Sequence, residues 1–235
     1  MEQFLTTAVN DFKLIFRDPS LRTFLFMPVL ILLVVCLLCP YLKETYPEIA
    51  PYIIYIVIMS CTQAATMYGF IYSVVFLDER DTEVAKMYGI LPISKSGFLL
   101  NRLLAPYLLS TITTFIILIL QPLYPLSVLG TFVFASLFGL LAPVLALAVG
   151  GLANNKIEGM TWFKGLNLIV SLPLAAFFLP DYKYVFSFIP TFWAYTGMHH
   201  FIMKEGYLLF LIVGFIFTLL TLGLLVRFFV KRHFV

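Results

Sequence analysis

Long apolar runs separated by short polar segments organise this chain from end to end. Six runs stand out, at about residues 21–41, 52–77, 98–120, 126–152, 161–179 and 206–229. Each is close to the roughly 20 apolar residues that a helix needs to cross a bilayer. The pattern predicts an all-α, polytopic membrane protein, with residues 1–235 forming a single domain of six transmembrane helices.

The composition agrees with this pattern and excludes several classes of protein. Hydrophobic residues make up 62% of the chain and charged residues 11%, and the mean hydropathy is +1.01. Soluble domains are about one quarter charged, so a water-soluble enzyme or binding module is excluded. The lipid bilayer is the expected surrounding, and the formal charge of +3 requires no nucleic-acid partner.

Residues 1–20 show a different pattern, with apolar side chains at helical spacing and polar ones elsewhere around the helix. The apolar positions are Phe4, Leu5, Ala8, Phe12, Ile15 and Phe16. A helix here would end before Pro19, because the residue before a proline avoids the helical region. We expect an N-terminal interfacial helix lying on the membrane; an ordinary cytosolic start is the alternative.

Lysine and arginine indicate how the spans are oriented. Twelve of the fifteen fall on one side of the predicted spans, and only Lys43, Lys183 and Lys204 fall on the other. Short cytoplasmic loops carry the excess of these residues. The sequence therefore predicts a multi-pass protein of the cytoplasmic (inner) membrane, with both termini and the polar stretch between spans two and three in the cytoplasm.

Residues suited to catalysis or cofactor binding do not form a recognisable site in the sequence. No GxxxxGK[ST] phosphate loop is present, and no ionisable residue is expected at the centre of a span. Proton-coupled pumps need such central charges. Cys36, Cys39 and Cys61 lie in apolar runs and are interpreted as packing residues. We expect no enzyme, no metal site and no cofactor bound by this chain.

Side chains that recur at helical spacing within the spans indicate which faces contact other helices or a transported molecule. Ala65, Gly69 and Ser73 recur every four residues in the second span, and small side chains at this spacing allow a neighbouring helix to approach closely. They are predicted to be helix-packing residues. On the opposite face of the second span lie Met59, Gln63 and Met67, whose side chains are polar or flexible. The fifth span has a polar stripe of its own, which includes Asn167 and Ser171.

The polar segment 78–95 is predicted to contain a short cytoplasmic helix from Asp78 to Tyr88. Acidic residues occupy its first turns and Lys86 lies near its end, an order that complements the helix dipole. A solvated helix without a partner is the alternative. The aromatic-rich segment 180–205 is interpreted as a re-entrant segment of short helices dipping into the outer leaflet, or as a plain aromatic loop at the interface.

The order of several motifs resembles the membrane subunits of type-2 ABC exporters. They are the Arg-Asp-Pro turn at residue 17, Pro28, Asp-Glu-Arg at residue 78, Thr-Glu at residue 82, Leu-Pro-x-Ser at residue 91 and Leu-Leu-x-Arg-Leu at residue 99. Asp81 departs from the family, which often has glycine there. The resemblance implies a cytoplasmic coupling helix between spans two and three, with coupling residues Asp78, Glu79, Arg80, Glu83, Lys86 and Tyr88.

The same resemblance implies two six-span subunits, identical or paralogous, and a separate ABC ATPase that binds ATP and magnesium. Spans two and five would line the substrate pathway, at Met59, Gln63, Met67, Asn167 and Ser171. Their weakly polar side chains suit an amphipathic or apolar small molecule or lipid, exported from the cytoplasm or inner leaflet. An ATPase-independent carrier, or a scaffold subunit of a larger membrane complex, is the alternative.

Overall fold

A computed structural model describes residues 11–82 and 95–233, and every regular element in these two stretches is helical. Six helices are long and apolar enough to cross a membrane. We number them spans 1 to 6: Leu21–Thr45, Ala50–Asp81, Gly97–Leu120, Val128–Leu152, Lys156–Phe177 and Leu208–Arg232. The predicted all-α fold with six candidate membrane-spanning helices is confirmed.

The bundle has two ends of different character. At one, which we call the terminal end, residues near both chain termini contact the turn between spans 4 and 5, as in the pairs Lys156–Asp18 and Arg232–Asn154. At the opposite end, which we call the aromatic end, rings meet between different elements, as in Tyr52–Phe178 and Phe134–Phe201. Ion pairs and polar contacts therefore organise one end, and aromatic packing the other.

Spans 2 and 4 form the centre of the bundle. Within their most apolar stretches 72% and 83% of residues are buried, against 17% in spans 1, 5 and 6. The small stripe of span 2 faces span 4: a Cβ on Gly69 would lie 2.8 Å from the carbonyl oxygen of Ala142. Ala65 and Ser73 are fully buried one turn to either side. The absence of a side chain at Gly69 is what allows the two backbones to approach.

A short helix at residues 11–17 precedes span 1, and residues 1–10 lie outside the described part. Ile15 is 1% exposed and packs into the core cluster at the terminal end, whereas Phe12 and Phe16 are exposed. The chain bends at Asp18, before the helix Pro19–Leu33 begins. The N-terminal helix was expected to end before Pro19, and the bend lies at that point, because the residue before a proline avoids the helical region.

Span 1 contains a wide π-helical turn at Val34–Leu38, between the α-helices Pro19–Leu33 and Cys39–Thr45. The N–H of Cys39 donates to the carbonyl of Val34, five residues earlier. The next residue is Pro40, which has no N–H to continue the regular ladder. The widened turn accommodates this missing donor, and turns of this kind are frequent at functional sites.

The α-helix of span 2 runs without interruption from Ile53 to Asp81. This corrects the expectation that span 2 ends at residue 77 and that a separate helix begins at Asp78. Acidic residues at the C-terminal end of a helix interact unfavourably with the helix dipole. Here Arg102 neutralises Glu79, and Arg80 donates to the carbonyl of Ala153 at 3.0 Å. Residues 83–94, with Glu83, Lys86 and Tyr88, lie outside the described part.

Span 5 begins at Lys156, five residues before the boundary expected at residue 161. The side chain of Asn155 caps this helix by accepting from the N–H of Glu158 at 2.9 Å. The α-helix ends at Ser171 and continues as a 3₁₀ helix, Leu172–Phe177, which contains Pro173. The earlier start places Lys164 well inside the span rather than near its end.

The segment after span 5 folds as the 3₁₀ helix Pro180–Phe188 and the α-helix Pro190–Ile202. The second helix is packed against the bundle, and Tyr195 is fully buried. The hydroxyls of Tyr195 and Thr191 both donate to the carbonyl of Val170, at 3.1 and 2.7 Å. This carbonyl lies near the end of the α-helix of span 5, so the pair of bonds fixes the segment against that span.

Candidate functional site

A polar contact joins spans 2 and 5 inside the bundle. The side chain of Asn167 donates to the amide oxygen of Gln63 at 3.2 Å, and the amide nitrogen of Gln63 lies 3.4 Å from the hydroxyl of Ser171. The same nitrogen lies 3.9 Å from the sulfur of Met59. Four of the five predicted pathway residues therefore meet at one point. Met67, one turn farther along span 2, packs on the core at the terminal end.

A cavity of about 510 Å³ opens beside this contact. Its volume is in the range of pockets that bind small organic molecules. The part of the wall nearest the polar contact is formed by Met59, Ser60 and Gln63. The full lining is Met27, Leu30, Ile31, Val34, Val35, Tyr52, Tyr55, Ile56, Met59, Ser60, Gln63, Leu174 and Phe178.

The cavity wall combines aromatic and flexible apolar side chains. The ring of Tyr55 lies 5.1 Å from that of Phe178 and 6.0 Å from that of His199, measured between centroids. Met27 and Met59 add thioether side chains, which adapt to ligands of different shape. Such a wall can hold an apolar or aromatic molecule. The amide of Gln63 is engaged by Asn167 and Ser171 at the edge of the cavity.

A cluster of buried charges lies at the terminal end. The guanidinium of Arg102 donates to both carboxylate oxygens of Asp11, at 3.1 and 2.6 Å, and to Glu79 at 2.5 Å. These side chains are 4%, 4% and 10% exposed. The guanidinium also lies 5.1 Å from the ring centroid of Phe76. Arg102 thus joins the helix at residues 11–17, the end of span 2 and the beginning of span 3.

The predicted coupling residues face different surroundings. Glu79 points into the bundle, toward Arg102, while Asp78 is exposed. Arg80 reaches the turn between spans 4 and 5. The three remaining residues of the predicted set lie beyond the described stretch, so their positions stay a prediction.

Asp11 and Arg102 were not among the residues selected from the sequence as functional. Arg102 lies seven residues after the predicted coupling segment, within a run that is mostly apolar. A guanidinium in such a run must find carboxylates, because an unpaired buried charge is very costly. That requirement marks Arg102 as a candidate, although it does not say which carboxylates it finds.

Comparison with known proteins places these features in a family. A family model described as "Fluoroquinolones export permease protein Rv2686c-like" matches residues 11–226. Two relatives are fluoroquinolones export permease proteins of Mycobacterium tuberculosis, MT2760 of strain CDC 1551 / Oshkosh and Rv2686c of strain ATCC 25618 / H37Rv. Each is 23% identical over 236 residues, covering 95% of this chain and 92% of the relative. The chain therefore belongs to the Rv2686c-like family of fluoroquinolone export permeases.

Proposed function

We propose that the chain is the transmembrane permease subunit of an ATP-driven ABC exporter. It would move an amphipathic or apolar small molecule or lipid out of the cytoplasm or inner leaflet. Membership of an export permease family supports transport in this direction. ATP and magnesium would be bound by a separate ABC ATPase subunit, which docks on the cytoplasmic face and drives the spans.

The observation that carries this proposal is the buried ion cluster around Arg102. It joins Glu79, near the end of span 2, to Arg102, near the beginning of span 3, and adds the helix at residues 11–17. A buried pair of this geometry is rigid, because separating the charges in a low-dielectric interior is costly. Force applied to the polar segment by an ATPase would therefore reach three elements together.

In this proposal the coupling residues divide into two groups. Glu79 and Arg80 anchor the end of span 2 to neighbouring elements. Asp78, which is exposed, would meet the ATPase together with Glu83, Lys86 and Tyr88. The acidic members give a negatively charged contact surface, which would select basic residues on the partner.

A second copy of this chain, or a paralogue, would complete the pathway. Spans 1 and 5 border the cavity, yet only 17% of the residues in their most apolar stretches are buried, and Leu30 and Phe178 in the cavity wall are more than half exposed. Another permease subunit placed against these spans would enclose the cavity between two chains. Met59, Gln63, Met67, Asn167 and Ser171 would then line the pathway.

The charge distribution supports the same arrangement in the membrane. The terminal end holds the basic residues Arg80, Arg102, Lys156 and Arg232 among its polar contacts. Basic residues favour the cytoplasmic side. We therefore assign the terminal end, and both chain termini, to the cytoplasmic side of the inner membrane.

Co-purification of the permease from its native membrane, with any bound ABC ATPase identified by mass spectrometry, tests the proposal. The ATPase is expected to co-purify with the wild type, and to be lost when both Asp78 and Glu83 are replaced by lysine. Glu48→Lys is a matched control, because Glu48 is an exposed carboxylate in the loop after span 1. This variant should retain the ATPase.

Transport by the permease alone would contradict the proposal. Purified permease in liposomes, without ATPase or ATP, should give no directional export of a fluorescent amphipathic dye. Export driven by an ion gradient under these conditions would favour the ATPase-independent carrier. Retention in a large complex that contains no ATPase would favour the scaffold subunit.

A further inference from the structure

We propose that a second cavity, at the aromatic end, binds a phospholipid headgroup that carries both a phosphate and a primary ammonium, as in phosphatidylethanolamine. Its volume is about 390 Å³, and it shares no lining residue with the cavity beside Gln63. Lys204 would bind the phosphate and Glu205 the ammonium. The lining is Pro125, Leu126, Ser127, Phe201, Lys204, Glu205 and Tyr207.

This cavity lies at the level expected of a lipid headgroup. It is bordered by the loop between spans 3 and 4 and by the turn that precedes span 6. Ser127 and Tyr207 in its wall are followed directly by Val128 and Leu208, the first residues of spans 4 and 6. The cavity is therefore placed where the apolar spans meet the polar layer of the bilayer.

The cavity wall carries two opposite charges side by side, and both Lys204 and Glu205 are exposed. The Nδ1 of His200 lies 2.6 Å from one carboxylate oxygen of Glu205, and the other oxygen can accept from an ammonium. Lys204 makes no ion pair or cation–π contact in the described part of the chain. The other lysines of this end, Lys43 and Lys183, lie over tyrosine rings. The ammonium of Lys204 is thus placed to receive a phosphate.

The backbone at Lys204 is strained. Its φ is 60°, and it is the one non-glycine residue with a positive φ among those that the structure describes. The helix Pro190–Ile202 ends here in a turn in which the N–H groups of Lys204 and Glu205 donate to the carbonyls of Phe201 and His200. Glycine is the usual residue at this position of such a turn. A lysine that replaces glycine in a cavity wall favours a function for its side chain.

An aromatic cluster fixes the back of the cavity. The ring centroids of Phe201 and Tyr207 lie 5.0 Å apart, and the ring of Phe134 packs on both. Gly130 permits this packing, because a Cβ there would lie 2.4 Å from the ring of Phe201. On the loop side, the amide oxygen of Gln121 accepts from two N–H groups of its own turn, each at 2.9 Å. The site is therefore largely formed before a ligand binds, which reduces the cost of binding.

The surface next to the cavity favours a lipid over a soluble ligand. The first residues of spans 4 and 6 are apolar and more than 60% exposed, and acyl chains joined to a bound headgroup would lie against them. These residues are Val128, Leu129, Leu208 and Leu209. Glu205 would repel a headgroup that is only anionic. A primary ammonium can donate hydrogen bonds to this carboxylate, whereas a quaternary ammonium has no N–H.

Native mass spectrometry of the purified permease tests this proposal. The protein is mixed in detergent with equal amounts of phosphatidylethanolamine, phosphatidylcholine and phosphatidylglycerol that have the same acyl chains. The wild type should bind phosphatidylethanolamine about threefold more than either competitor, the effect of one solvent-exposed ion pair. Glu205→Gln should instead favour phosphatidylglycerol, because only the positive charge remains. Asp181→Asn removes an exposed carboxylate from the same end and should keep the wild-type order.

Lys204→Gly separates the loss of the site from misfolding. Glycine suits the left-handed backbone, so this variant should unfold in detergent at the wild-type temperature or above it. It should nevertheless lose the preference for phosphatidylethanolamine. Lys183→Gln is the matched lysine control and should retain that preference.

Three results would overturn the proposal. The first is the same lipid order in the wild type, Glu205→Gln and Lys204→Gly. The second is an equal loss of preference in the two control variants, which would assign it to the overall charge of the aromatic end. The third is displacement of the bound lipid by soluble phosphoethanolamine, which has the same charged groups without acyl chains and would identify a site for a soluble ligand.

Discussion

Arg102 of span 3 and Glu79 of span 2 form a buried ion pair whose nitrogen and oxygen atoms lie 2.5 Å apart. The same guanidinium holds Asp11 through two hydrogen bonds. One cation thus satisfies two carboxylates that belong to distant parts of the sequence. Arg102 therefore connects three elements at the terminal end of the bundle.

Replacing Arg102 by methionine should strongly destabilise the protein. Two carboxylates would then be buried without a cation, and breaking a buried pair in this way costs about 3–5 kcal/mol. Thermal unfolding in detergent should show a clear loss of stability. Arg22→Met is the control, because Arg22 is exposed near the same end. An Arg102→Met protein as stable as the control would contradict the importance of the cluster.

Gly69→Ala should destabilise the bundle although it adds only one methyl group. The added Cβ would meet the Ala142 carbonyl at 2.8 Å and the Leu145 Cβ at 2.9 Å. Overpacking of this kind costs about 1–3 kcal/mol. Gly223→Ala is the matched control, since nothing lies within 4 Å of a Cβ there. Equal unfolding temperatures for the two variants would show that spans 2 and 4 can separate at Gly69 without cost.

A photoreactive amino acid at Gln63 should capture a transported compound, because Gln63 lines the cavity. The same amino acid at Leu224, an exposed position in span 6, serves as the control for capture from lipid. Mass spectrometry of the cross-linked permease gives the yield at each site. Equal yields at the two positions would indicate that the compound partitions into the bilayer and does not enter the cavity.

His199 should make the protein less stable in acid. Burial, and then the charge of His200, lowers the pKa of His199 from its ordinary value of 6.5. As the pH falls through that value, the unfolded chain binds a proton that the folded chain resists binding, so the free energy of unfolding decreases. Unfolding temperatures measured from about pH 8 to pH 5 should show this decrease in the wild type.

His199→Phe should reduce that dependence on pH. Phenylalanine cannot be protonated, and it can preserve the ring contacts with Tyr55 and Phe177. The variant should therefore fold normally at neutral pH and lose less stability than the wild type in acid. An unchanged slope would assign the acid sensitivity to other groups.

The sequence was most informative where a structural feature depends on local pattern. Six apolar runs predicted six candidate spans, because the length of a span is set by the thickness of the bilayer. The stripe at Ala65, Gly69 and Ser73 depends only on helical periodicity, and these residues lie in the centre of the bundle. Gln63 and Asn167 could likewise be selected as polar residues in apolar surroundings.

Features that depend on pairing across the fold could not be predicted in this way. Asp11 lies 91 residues from Arg102 along the chain, and no local signal joins them. The end of span 2 was misplaced for the same reason: local rules disfavour acidic residues at a helix C-terminus, but Glu79 is neutralised by a residue from another span. The start of span 5 is a different case, because the cap that sets it, Asn155 accepting from the N–H of Glu158, is local and could have been found in the sequence.

The unbroken helix of span 2 carries both Glu79 and Gln63. Sixteen residues separate them, a distance of about 24 Å along the axis. With no proline and no wide turn between Ile53 and Asp81, the helix offers no hinge that could absorb a displacement. A displacement of its charged end would therefore move the whole helix, and would appear beside the cavity as a tilt or as a translation along the helix axis.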